Sequence, residues 1–70
     1  MKAIVKAGTI DQAIRRLLLR RIARGERQAV GELVALYEQA GYPDSAASYR
    51  KALESPYAWD VLWHYAKSLE

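Results

Sequence analysis

Asp60, His64 and Ser68 stand four residues apart and are the three residue types of a hydrolytic triad. In that chemistry a histidine takes the proton of a serine hydroxyl, a carboxylate orients the ring, and backbone donors hold the oxyanion that forms. Four-residue spacing, however, puts all three on one outward face of a helix. Such a face has neither a strained turn to expose the nucleophile nor an oxyanion pocket. A solvated Asp60–His64 hydrogen bond is expected there, and catalysis is not. A metal centre lacks donors: the chain has one histidine, no cysteine and no carboxylates clustered at ligand spacing. Gly8, Gly25, Gly31 and Gly41 occur singly rather than in a phosphate-binding loop, and Gly31 is expected to mark close helix packing. No catalytic residue, metal or cofactor is assigned, and the pattern favours binding over catalysis.

The strongest charge signal lies at the start of the chain. Residues 1–27 carry eight lysines and arginines against Asp11 and Glu26, a net +6, whereas residues 28–70 carry a net −3. Arg16, Arg20 and Arg24 recur at i, i+4 and i+8, and like charges at that spacing cost roughly 0.2–0.5 kcal/mol per pair. Two explanations stand: a solvated face whose last arginines complement the helix dipole, or a stripe that meets phosphates or a partner's carboxylates. Arg15 and Arg21 flank the apolar side and can snorkel around it.

Positioning these groups requires helices. Val30, Leu33, Val34, Tyr37 and Ala40 mark one buried helical face, Gly41 ends it, and Pro43 suits the first turn of the next helix. Ala46, Tyr49, Ala52 and Leu53 continue the apolar face in a helical hairpin. Upstream, Thr9 and Gln12 fit a capping box for a helix whose buried side holds Ile10, Ile14, Leu17, Leu18 and Ile22, widened by Leu19. Downstream, Ser55-Pro56 signals the last helix. The expected helices are 10–24, 26–40, 43–54 and 56–69, forming an all-α four-helix bundle or stacked helical hairpins. Residues 1–8 are expected to be a loose arm and residues 9–70 one domain.

The last helix is unusually apolar, with Val61, Ala58, Tyr65, Leu69, Leu62, Ala66, Trp59 and Trp63 spread over an arc of roughly 200°. Trp59 and Trp63 lie at its edge. With Leu62 and Ala66 they are the expected hydrophobic contact for a partner protein or for a second copy in a homodimer. All seven aromatic side chains, five Tyr and two Trp, fall between Tyr37 and Tyr65, and their O–H and N–H groups need outlets at the core margin.

Two known patterns touch the central hairpin. As a helix-turn-helix, it would offer Ser45, Ser48, Arg50 and Lys51 to a nucleic-acid groove, although Tyr37 stands where a close helix crossing wants a small residue. Tyr37, Gly41, Ala46, Tyr49, Ala52-Leu53 and Pro56 also resemble one tetratricopeptide-repeat unit over residues 30–56. The repeat's Trp-Leu-Gly start is absent, the stretch before Pro56 is about two residues short, and no second unit follows. That resemblance implies a protein-binding scaffold.

At 70 residues, with 51% hydrophobic and 27% charged residues, the chain is one small globular domain without disulfides. It has no run of the ~20 apolar residues that cross a bilayer and no signal-peptide pattern, so a soluble cytoplasmic protein is expected. The leading expectation is a helical protein–protein interaction module, a regulator or inhibitor of a larger assembly. Its partner would meet the tryptophan flank, with Arg16, Arg20 and Arg24 facing an acidic surface. The alternative is nucleic-acid binding through the basic first helix or the hairpin around Gly41.

Overall fold

In the computed structural model, residues 10–69 are described, and helix takes up 82% of them. The first helix, α1 (Gln12–Ala23), starts on Asp11, whose carboxylate accepts hydrogen bonds from the backbone N–H of Ala13 at 3.0 Å and Ile14 at 3.2 Å. The expected cap, Thr9, lies outside the described residues. Asp11 does the capping because an aspartate there satisfies two of the free N–H groups and sits at the positive end of the helix dipole.

Both glycine stops have the same construction. Gly25 takes φ 91° and Gly41 φ 89°, a left-handed conformation that side chains disfavour. At the first, Gly25 N–H donates to the Ile22 carbonyl and Glu26 N–H to that of Arg21. At the second, Gly41 N–H donates to Glu38 and Tyr42 N–H to Tyr37. These paired reverse bonds consume the carbonyls that a helix end leaves over. The second helix, α2 (Gln28–Gln39), starts two residues later than its sequence predicts, because Glu26 closes the Gly25 turn and Arg27 caps with no side-chain bond. Then α3 (Pro43–Glu54) and α4 (Pro56–Ser68) start at their prolines. Ser55 joins these two helices, its hydroxyl oxygen accepting the Ala58 N–H at 3.4 Å.

Each helix packs on two others: α1 on α2 and α4, and α3 on α2 and α4. The four thus close into an all-α bundle rather than an open stack of hairpins, with α2 against α3 the most extensive pair. Ile22, Val30 and Leu33 are its largest fully buried side chains, and Leu18, Leu19, Ala29, Val34, Ala46, Ala52, Leu62 and Ala66 surround them. Among the described residues no buried side-chain nitrogen or oxygen lacks a partner. None of their helices is long and apolar enough to cross a membrane.

Three expectations about faces are corrected. On α1 the core takes Leu18, Leu19 and Ile22, while Ile14 and Leu17 are 45% and 57% exposed. The inward direction is rotated toward Leu19 because α4 closes on that side of α1. On α3 Ala46 and Ala52 are buried, while Leu53 is exposed. Gly31 marks no close packing, since a Cβ built there meets nothing within 4 Å.

Candidate functional site

The fold gives four arginines definite partners. Arg15 is half-buried where α1, α2 and α4 meet, its Nε donating to the Tyr37 hydroxyl at 2.9 Å and its Nη2 to that of Tyr65 at 3.1 Å. The Tyr37 bond is the main reason its pKa is raised above the ordinary value, with burial acting in the opposite direction. Tyr37 also lies 5.0 Å, ring to ring, from Tyr49 of α3 and meets Tyr42 edge-on. Burial, and after it the neighbouring Tyr37 hydroxyl, pushes Tyr49 up to about 12. One guanidinium and its tyrosines therefore connect all four helices, and the aromatic O–H groups find the marginal outlets they need. Arg21 bridges Glu26 and Glu32, each at 3.0 Å, and both raise its pKa, Glu32 the more strongly. Arg27 donates to the Ala52 carbonyl and lies over the Trp59 ring at 5.3 Å. Arg50 pairs with Glu38.

Arg16, Arg20 and Arg24 are treated differently. All three are exposed, and among the described residues none has a carboxylate within ion-pair distance or a side-chain hydrogen bond. Residues 1–9 contain no aspartate or glutamate, and Glu70, which follows Leu69, lies outside the described residues. Asp11, four residues before Arg15, caps α1 and makes no ion pair with any of the three. The three guanidinium groups rise along α1 in steps of about 6 Å, within the ~8–10 Å over which salt leaves charges coupled.

They also line a cavity of about 510 Å³ between α1 and α4, together with Gln12, Arg15, Leu19, Ala66 and Leu69. Leu19 and Ala66 form its buried floor, and Leu69 stands 53% exposed at its α4 edge. One wall is cationic and the other apolar. Gln12, Leu19 and Leu69 were not legible as part of this site, because their placement depends on how α4 crosses α1.

The tryptophan flank of α4 is largely spent inside the molecule. Leu62 and Ala66 are core residues at 7% and 1% exposure, so neither is open to a partner. Trp59 packs half-buried against that core beneath Arg27, and the Trp63 Nε1–H donates to the Ala23 carbonyl at 3.1 Å, with the Lys67 ammonium 4.4 Å from its ring. The arc on α4 is as wide as expected, but the opposite edge faces water: Tyr57, Val61 and Tyr65 are the exposed side chains. They line a 670 Å³ apolar groove against Tyr49 and Leu62, with Lys51 and Glu54 at its margin.

The remaining sequence candidates do not converge. Ser68 Oγ donates to the Tyr65 carbonyl at 2.6 Å, and the His64 Nε2 to Asp60 Oδ1 distance is 3.7 Å, an ion-pair separation beyond hydrogen-bond length. Hydroxyl and imidazole are thus not engaged with each other. On α3, Ser48 and Lys51 are exposed and Ser45 is half-buried, while Arg50 is tied to Glu38. Among the described residues, α3 therefore has one cation without an ion pair to offer a nucleic acid, Lys51.

No protein-family model matches the chain, and neither a curated protein nor a solved structure is significantly similar to it.

Proposed function

We propose that the chain is a small cytoplasmic protein–protein interaction module that engages an acidic partner through Arg16, Arg20 and Arg24. One observation carries this reading: α1 keeps three like charges in register with no carboxylate or side-chain hydrogen-bond partner among the described residues, whereas Arg21 and Arg50 are paired with glutamates and Arg15 and Arg27 have hydrogen-bond partners. An acidic surface converts that repulsion into attraction and steers the encounter. Leu69 beside the stripe supplies apolar surface that a purely ionic contact would leave in water. Fluorescence anisotropy against labelled polyglutamate at ~50 mM salt tests it. Binding is expected, and replacing the three arginines by serine is expected to remove it with the far-UV circular dichroism unchanged. Equal binding by the triple variant refutes the reading.

The same stripe supports a second reading, nucleic-acid binding. Three arginines on three duplex phosphates give a salt slope of roughly −2.7 in log–log form, from about 0.9 per phosphate. Against it, no aromatic side chain lines the groove to stack a base.

A further inference from the structure

We infer that the groove between α1 and α4 seats an acidic amphipathic helix of a partner protein, with carboxylates four residues apart along Arg16, Arg20 and Arg24 and an apolar edge over Leu69. The inference rests on the interaction-module reading and adds the form of the partner.

The shape of the groove is the first argument. Its walls are two packed helices, and the furrow between them is the surface on which another helix lies in a bundle. The second is the division of its lining. The α1 wall brings Arg16, Arg20 and Arg24, whereas the α4 side brings exposed Leu69 at the rim above the buried Ala66. An occupant must carry charge along one edge and apolar side chains along the adjacent one, which is the pattern of an amphipathic helix.

Periodicity is the third argument. Arginines at i, i+4 and i+8 advance about 6 Å per step, the step of carboxylates at the same spacing on a second helix. An acidic strand reaches a similar step of ~6.6 Å with every second residue. Its backbone N–H and C=O groups would find no sheet edge in a groove made only of helices, so they would be buried unpaired. A phosphodiester chain matches the cations but has no use for Leu69, and it lacks an aromatic platform here.

The test is anisotropy with a labelled peptide of about 20 residues, with Glu at i, i+4 and i+8 and leucines along the adjacent edge. Two competitors accompany it: a peptide of the same composition with prolines at its centre, and single-stranded DNA. The helical peptide is expected to bind more tightly than either. Arg20→Glu is expected to weaken it ~10-fold or more, and a peptide with its middle Glu replaced by Lys should recover most of that loss. Leu69→Ser is expected to weaken the helical peptide several-fold, and by more than it weakens polyglutamate. Circular dichroism verifies that both variants keep their helices. Equal binding of the proline-broken peptide overturns the helical seat and leaves the acidic-partner reading in place. Absence of binding by every acidic probe at ~50 mM salt overturns both, and a clear preference for DNA shifts the stripe to nucleic acid.

Discussion

Replacing Arg15 with methionine tests whether the tyrosine cluster holds the bundle together. Methionine keeps an unbranched stem and a similar helix propensity, so the change removes the guanidinium with little disturbance of α1. Two bonds are lost, to the hydroxyls of Tyr37 and Tyr65. A bond from a charged donor is worth about 1.5–3 kcal/mol where it is shielded. Arg15 is open to water on one side and Tyr65 is 42% exposed, so each bond is reduced to roughly 0.5–1 kcal/mol by screening. The expected loss is about 1–2 kcal/mol. A domain of this size has only about 4–10 kcal/mol in total, and Tm should fall by roughly 5–15 °C. Urea unfolding followed by tryptophan fluorescence reads the change as a lower midpoint at constant slope. The same substitution made in a Tyr37→Phe/Tyr65→Phe background should cost almost nothing. A loss below ~0.3 kcal/mol, or an equal loss in both backgrounds, refutes the bridging role.

Three further substitutions probe the frame. Gly31→Ala should raise stability by about 0.5–1 kcal/mol in thermal unfolding, since the position is helical and its Cβ meets open space; a lower Tm means α2 is crowded there. Ile22→Ala should cost about 2–5 kcal/mol in urea, because Ile22 is fully buried, whereas Ile14→Ala on the exposed side should stay below ~1 kcal/mol; comparable losses at both would return the α1 face to the rotation its sequence implies. Tyr49 gives a pH dependence. Its folded pKa of about 12 lies above the ordinary 10.0, so its contribution is fully present below pH 10 and is lost as pH rises through 12. Two pKa units are about 2.7 kcal/mol for a fully buried group, and screening leaves roughly 1 kcal/mol for half-buried Tyr49. Tyr49→Phe should flatten alkaline denaturation over that window, and an unchanged profile refutes the assignment.

Local signals carried the helix boundaries. Gly25 and Gly41 need a left-handed φ, Pro43 and Pro56 fit a first turn, and Ser55 caps α4, all of which depend on neighbours within a few residues. The unpaired stripe was legible for the same reason, because its spacing is a property of one helix. Helical periodicity gives the width of an apolar arc but not the direction in which its neighbours lie. On α4 the sequence points to the tryptophan edge as the open one, but the choice between it and the Val61 edge depends on those neighbours. The choice is made by the Ala23 carbonyl at the end of α1, which takes the Trp63 N–H. Arg15 and Tyr65 are 50 positions apart, and no local pattern reports such a bond. Leu17 and Ile14 were misplaced because they share a helical stripe with Leu18 and Ile22, and only the side on which α4 arrives distinguishes them.

Closure of α1 on α4 has a topological consequence. Gln12, at the start of the first helix, and Leu69, just past the last, border the same groove. A short linker joining the two ends would preserve every helix contact and let the chain be reopened at the Gly25 turn, giving the helix order α2, α3, α4, α1. In that rearranged chain the arginine-bearing helix would come last, reached through a tether that crosses the groove mouth. An affinity tag fused beside Gln12 or Leu69 would sit at the same opening, so a tag cleaved away before binding is measured is the appropriate form of the protein.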